Sequence, residues 1–133
     1  MDAEILDSAI KQAKLGRYRR EAQVDTCAVF AAALYDALQA LDVPCKMATA
    51  LNKTGTRWAH ALVQVGDYYF DSMGEFSTAI YHQRAKIHPK VTLDISYTED
   101  TRDECYEPEF DEMHAFYLKH LTKSLAAVAA ATN

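Results

Sequence analysis

Cysteine is scarce in this chain of 133 residues, and the three that occur stand far apart. Cys27, Cys45 and Cys105 form no CxxC pair, and their odd number argues against a disulfide framework or a structural zinc site. Long apolar runs are also lacking, since no stretch approaches the roughly 18 consecutive apolar residues of a membrane-spanning helix. The N-terminal segment is acidic and has no apolar run typical of a signal peptide. We therefore expect a cytoplasmic protein with reduced thiols, no membrane association, and neither a cofactor nor a bound metal.

An excess of positive charge is lacking as well. The net charge is −5, and segment 99–112 holds eight carboxylates against the single Arg102. A nucleic-acid partner is not expected, because proteins that bind nucleic acids present a basic face. Segment 99–112 is interpreted as a solvated loop, with recognition of a basic partner as the alternative. No feature of the sequence indicates an oligomeric state.

Half of the residues are hydrophobic, which predicts a single domain over residues 1–133 with a core of its own. Apolar periodicity predicts four helices, over residues 1–15, 25–41 and 76–86 and from Pro108 towards the C-terminus. It also predicts four strands, over residues 45–51, 58–65, 68–71 and 91–97, with residues 72–74 as a loop. On the last helix we expect Met113, Phe116 and Tyr117 to face inward.

The helix predicted over residues 25–41 carries a cysteine in its first turn. Asp25 is a good N-cap, because its carboxylate can accept a hydrogen bond from an N–H group of that turn. A helix N-terminus favours negative charge, so it also favours the thiolate of Cys27. Taken alone, this segment favours the interpretation of Cys27 as a small buried hydrophobic residue.

Gly66 and Asp67 separate two strand-like runs and predict a two-residue hairpin turn. Side chains alternate between the faces of a sheet, so this turn places His60 and Asp71 on the same face. They are then diagonal neighbours, with roughly 7–8 Å between their backbones, which side chains of this length can bridge. Trp58 shares that face and is a candidate wall for a substrate site. A longer turn or a bulge would separate His60 from Asp71.

A thiol at a helix N-terminus, a histidine on one strand and an aspartate on the next supply the three roles of nucleophilic acyl transfer. Cys27 would attack, His60 would carry the proton, and Asp71 would orient the imidazole. Their order, together with the stretch WAHALVQVGDYYFDS, resembles the transglutaminase-like branch of the papain-like cysteine hydrolases. The resemblance covers residues 23–74. It implies an α+β fold in which an antiparallel sheet packs against the cysteine-bearing helix, with further helices on its flanks.

The same resemblance implies thiol chemistry on an amide or peptide carbonyl, which includes hydrolysis, deamidation and transfer to an amine. The substrate would be a protein or peptide, and the Cys27 backbone N–H, with the side-chain amide of Gln23, is the expected oxyanion donor. One alternative is an inactive interaction module on the same fold that binds a basic partner through segment 99–112. Another is an effector-type protein that modifies one host protein. Asp111 and His114 stand at i, i+3 and resemble half of a metal site, but no second half follows them.

Overall fold

The computed structural model describes residues 1–15, 27–53, 57–101 and 110–132. Within these ranges the chain forms four α-helices and five β-strands. Their order is α1 Ala3–Ala13, α2 Cys27–Ala40, β1 Lys46–Asn52, β2 Trp58–Val65, β3 Tyr68–Asp71, β4 Gly74–Phe76, α3 Thr78–Arg84, β5 Ile95–Asp100 and α4 Asp111–Thr132. The prediction of a mixed α+β fold is confirmed at this level.

The five strands form one antiparallel sheet in the order β4-β3-β2-β1-β5. Gly66 adopts a φ of 60°, which a tight hairpin turn requires and glycine tolerates best. Val65 pairs with Tyr68 and Val63 pairs with Phe70, so the predicted two-residue turn and its register are confirmed. This register determines which side chains of β2 and β3 face the helices and which face the opposite side.

One face of the sheet is covered by helices. Because α2 is apolar around most of its circumference, it is buried between β2 and α4, and α1 packs on α4 beside it. The residues that point from β2 and β3 into this layer occupy alternate positions and include Ala61, Val63 and Phe70. They pack in one core with the buried residues of the helices, among them Leu6, Ile10, Phe30, Leu34, Leu38, Tyr117, Leu121 and Leu125.

The opposite face of the sheet carries a smaller cluster that is rich in aromatic rings. Its buried members are Ala50, Leu62 and Phe76, and its half-buried members are Trp58, Tyr69, Tyr81, Ile95 and Tyr97. Helix α3 lies on this side, because Tyr81 packs against Trp58 with 4.9 Å between ring centroids. The helix begins after Ser77, whose hydroxyl accepts a hydrogen bond from the N–H of Ile80 at 3.0 Å.

Four predictions about these elements are wrong, wholly or in part. Residues 72–74 are not all loop, because Gly74 begins β4, which pairs with β3; the following helix starts at Thr78 rather than at residue 76. The strand predicted over residues 91–97 starts only at Ile95, which pairs with Asn52, the last residue of β1. Phe116 is 36% exposed, although an inward position is predicted for it.

Candidate active site

Cys27 lies at the edge of β2 that β3 leaves open. The paired residues of β3 extend along β2 only from Val65 to Val63. In an antiparallel hairpin the N–H groups of these alternate positions point towards the partner strand, and Ala61 follows in the same series. Its N–H therefore points to the open edge, where it hydrogen-bonds to the sulfur of Cys27. The first residue of α2 thus reaches around the sheet edge to the histidine of β2.

His60 is held between a carboxylate and a thiol. Its Nε2 lies 2.9 Å from Oδ2 of Asp71, and both residues are buried, at 8% and 2% exposure. The thiol of Cys27 also hydrogen-bonds to the imidazole. Because Nε2 is engaged by Asp71, Nδ1 is the ring nitrogen that remains for the sulfur. The structure thus brings together the three side chains that the sequence analysis selects.

The charges around Cys27 and His60 favour a thiolate beside an imidazolium. Burial raises the pKa of the Cys27 thiol, but the hydrogen bond and charge of His60, with backbone hydrogen bonds from Ala61 and Ala28, lower it below the usual range. Burial lowers the pKa of His60, but hydrogen bonds and charges from Asp71 and Cys27 outweigh it and raise the pKa to about 9. A thiolate is the nucleophilic form of cysteine, so the site favours the reactive state.

Asp71 is fixed by more groups than the imidazole. Arg84 contacts both of its carboxylate oxygens, with Nη1 2.6 Å from Oδ2 and Nη2 3.1 Å from Oδ1. The backbone N–H of Met73 donates to Oδ1 at 2.9 Å. Burial raises the pKa of Asp71, but hydrogen bonds from His60 and Arg84 and their positive charges lower it below the ordinary value. The carboxylate therefore stays ionised beside the imidazole.

Arg84 is the member of this cluster that the sequence analysis misses. It ends α3 and also donates to the backbone carbonyl of Glu75 at 2.8 Å, so β4 holds the guanidinium in place. No spacing or motif marks this residue, because its partner lies 13 positions earlier and is brought near only by the packing of α3 on β4. A basic residue in the last turn of a helix is a common feature of exposed helices as well.

A pocket of about 590 Å³ opens onto Cys27 and His60. Trp58 lines it, in agreement with its predicted placement on the face of His60, and the two rings meet edge to face at 6.4 Å between centroids. The other lining residues come from β2, from the β3–β4 turn, from β4, and from α3 and the residue that follows it; they are Ala59, Met73, Phe76, Tyr81, Arg84 and Ala85. The aromatic and methionine residues in this group are also absent from the sequence analysis.

The remaining candidates do not join this cluster. Gln23 and Asp25 lie outside the described residues, so the predicted amide oxyanion donor and N-cap stay predictions. His114 contacts Asp36 of α2, with 2.7 Å between Nε2 and Oδ2. Within the described ranges, no group of three or more His, Cys, Asp or Glu side chains is arranged to hold a metal ion.

Segment 99–112 is described only at its ends. Glu99 forms an exposed ion pair with Lys46, with 3.8 Å between the charged atoms, and Asp100 accepts a hydrogen bond from Thr49. Both acidic residues belong to β5, so part of the segment is a sheet edge rather than a loop. Binding of a basic partner stays a prediction. Among the helices of the described ranges, none has the length and apolar character needed to cross a membrane.

Comparison of the chain with protein-family models, with curated proteins and with solved structures finds no match. Function therefore has to be inferred from the chemistry of the site.

Proposed function

We propose that this protein is a cysteine hydrolase or acyltransferase that acts on an amide or peptide carbonyl. The observation that carries the proposal is the contact of the His60 imidazole with Asp71 at 2.9 Å and, on its other side, with the thiol of Cys27. This is the arrangement of nucleophile, base and orienting group that acyl transfer requires. A further support is the open pocket, because a purely structural polar cluster needs no access to a ligand.

The architecture supports a transglutaminase-like form of the papain-like core. The cysteine begins a helix, the histidine and the aspartate lie on adjacent antiparallel strands, and these elements follow in that order along the chain. The helix contacts β2, the strand that carries His60. This is the arrangement of elements that the resemblance implies, and it accommodates the three proposed roles without any change of register.

In the first half of the proposed reaction, the Cys27 thiolate attacks the carbonyl carbon of the substrate. A C–S bond forms while the carbonyl π electrons move to oxygen, and the backbone N–H of Cys27 is a candidate donor to that oxyanion. When the tetrahedral intermediate collapses, the C–N bond breaks. The proton that His60 carries on Nδ1 passes to the leaving amine, and the acyl group remains on Cys27 as a thioester.

In the second half, neutral His60 accepts a proton from water or from an acceptor amine. The activated oxygen or nitrogen attacks the thioester carbon, the C–S bond breaks, and the sulfur leaves as the thiolate. His60 keeps the proton that it accepted, so the thiolate and the imidazolium of the starting state are restored. Asp71 holds Nε2–H throughout, so that Nδ1 stays directed at the sulfur and at the reacting atoms. Water as acceptor gives hydrolysis or deamidation, and an amine gives transfer.

The proposal is tested by trapping the acyl-enzyme with an activated ester, p-nitrophenyl acetate. We expect the intact mass of the protein to increase by one acetyl group and the label to map to Cys27. Cys27→Ser and His60→Gln should abolish rapid labelling, whereas Cys45→Ser, which also replaces a half-buried thiol, should leave it unchanged. Equal labelling of the Cys27→Ser variant, or preferential labelling of another cysteine, would remove Cys27 as the nucleophile.

A further inference from the structure

Three aromatic rings form a wall of the pocket beside His60. Trp58, Phe76 and Tyr81 pack on one another with 4.9–6.3 Å between ring centroids and with tilted or edge-to-face geometry. These distances are typical of favourable aromatic pairs, so the rings form an ordered surface rather than a loose patch. Met73 adds a thioether to the same pocket, and such sulfur atoms contact aromatic groups favourably.

The polar atoms of these rings are engaged with each other. The indole Nε1 of Trp58 donates to the hydroxyl of Tyr81 at 3.0 Å, so the hydrogen bond that a buried indole requires is already formed within the wall. What Trp58 and Phe76 present to a ligand is apolar ring surface. A ligand that buries its own apolar surface there gains free energy in proportion to the area removed from water.

The charges around the pocket disfavour a charged ligand of either sign. The guanidinium of Arg84 is committed to both oxygens of Asp71, so a ligand carboxylate would have to displace that buried pair. A cationic ligand would meet the guanidinium of Arg84, which lies 5.7 Å from the centroid of the Phe76 ring, while the carboxylate of Asp71 and the thiolate of Cys27 are already paired with Arg84 and His60. Charge complementarity therefore selects a neutral group.

From this lining we infer that the pocket binds an uncharged aromatic group of the substrate, next to the carbonyl that Cys27 attacks. The inference rests on the proposed function for the placement of that carbonyl. The volume of about 590 Å³ exceeds what a single phenyl ring needs, so the flanking main chain of a peptide also fits within it. The protein would then prefer acyl donors whose reacting residue, or the residue beside it, is phenylalanine-like.

Binding can be measured without turnover, because Trp58 is the single tryptophan of the chain and lines the pocket. In the Cys27→Ala variant, the fluorescence of Trp58 is titrated with the N-acetyl amides of phenylalanine, glutamine, glutamate and lysine. We expect the phenylalanine derivative to bind at least about tenfold more tightly than the other three, which corresponds to about 1.4 kcal/mol. Binding of the glutamine, glutamate or lysine derivative as tight as that of phenylalanine would overturn the inference.

A matched pair of variants shows whether the ligand occupies this pocket. Ala85 lines the pocket just after α3, whereas Gln83 is exposed on the same helix and is not part of the lining. Ala85→Phe should fill the space and weaken binding of the phenylalanine derivative by about tenfold or more, while Gln83→Phe should leave it unchanged. Equal effects of the two substitutions, with both proteins folded by circular dichroism, would contradict the assignment.

The two proposals fail in distinguishable ways. If the chain lacks acyl-transfer activity, no acyl-enzyme forms from any ester. The phenylalanine derivative still binds to the Cys27→Ala variant, and Ala85→Phe still weakens that binding. If the pocket assignment is wrong, the acyl-enzyme forms on Cys27, but nitrophenyl esters of acetylated phenylalanine and glutamine react at equal rates.

Discussion

Arg84 and Asp71 form a bidentate ion pair beneath the imidazole, with contacts of 2.6 Å and 3.1 Å. Asp71 is 2% exposed, and its Oδ2 accepts from both Arg84 and His60. The group that orients the histidine is therefore itself oriented, by a cation that β4 holds through the carbonyl of Glu75. Replacing Asp71 leaves Arg84 without this charge partner in a largely buried position, and such a change is strongly destabilising.

The first prediction uses this pair to separate catalysis from stability. Asp71→Asn should lower the free energy of unfolding by about 3 kcal/mol, because Arg84 loses its counter-charge. It should also lower the rate of Cys27 acylation by roughly a thousandfold or more, since an amide supports the wrong tautomer of His60. Urea denaturation gives the first quantity and ester trapping gives the second.

The double variant Asp71→Asn/Arg84→Gln is the control for that experiment. Removing both charges should restore a substantial part of the lost stability, but the acylation rate should stay at the level of the single Asp71 variant. Recovery of the rate together with the stability would mean that Asp71 serves only to hold the fold.

The second prediction compares two thiols within the same molecule. Cys27 and Cys45 are both half-buried, so a difference in exposure does not by itself separate them. The thiol pKa of Cys45 is raised by burial and by the charge of Asp36, which outweigh its hydrogen bond with Gln39, whereas that of Cys27 is lowered. We expect iodoacetamide at near-neutral pH to alkylate Cys27 severalfold faster, as measured by peptide mass mapping.

The pH dependence of alkylation shows whether His60 is the cause of the faster reaction of Cys27. In the wild type, alkylation of Cys27 should persist at a lower pH than alkylation of Cys45. His60→Gln should move the Cys27 profile to higher pH, because burial still disfavours the thiolate while the positive partner is gone. A Cys27 profile that does not respond to His60→Gln would show that the imidazole does not control the thiol.

How far the sequence predicts this site depends on which contacts are local. His60 and Asp71 are related by one two-residue turn, so strand alternation alone places them on the same face. The position of Cys27 at a helix start follows from local periodicity, but its contact with His60 does not. That contact depends on β3 pairing with β2 only as far as Val63, a length that no spacing rule determines.

Arg84, Phe76 and Tyr81 show where sequence reasoning stops. Phe76 lies in a strand of three residues, which is too short to display a period and reads as the start of the next helix. Tyr81 and Arg84 point to the pocket because α3 packs on β4 and on Trp58. This packing is a tertiary contact that the local sequence pattern does not determine. The aromatic wall of the pocket and the contact of Arg84 with Asp71 can therefore be found only from the folded structure.

The third prediction concerns the effect of pH on stability. Folding raises the pKa of His60 from 6.5 to about 9, so the folded state favours the protonated imidazole. That contribution is fully present below about pH 6.5 and is lost as the pH rises through about 9. The difference in free energy of unfolding between wild type and His60→Gln should therefore shrink with rising pH, as measured by urea denaturation.

Both proteins in this comparison should also carry Cys27→Ala, because the lowered pKa of the thiol makes a contribution of the opposite sign, which is lost as the pH falls. The hydrogen bond and charge of Asp71, which raise the pKa of His60 more than the corresponding effects of Cys27, remain in that background. The upper end of the pH window then moves below about 9. A stability difference that grows with pH would contradict a protonated His60 in the folded protein.

The last prediction concerns the turn that follows Asp71. Gly74 has a φ of 111° and pairs with Asp71, and a Cβ there would overlap the carboxylate of Asp7, which accepts from the N–H of Glu75 at 2.7 Å. Gly74→Ala should therefore lower the free energy of unfolding by roughly 3 kcal/mol or more, through backbone strain and loss of the α1–β4 contact. Gly66→Ala is the matched control, because its φ is also positive but no atom lies within 4 Å of the added Cβ, and it should cost only about 1–2 kcal/mol.

Because Gly74 ends the turn that positions Asp71, its substitution should also slow acylation of Cys27 in protein that is still folded, whereas Gly66→Ala should not. Equal losses of stability at the two positions in urea denaturation would show that the contact between Asp7 and β4 does not constrain this turn.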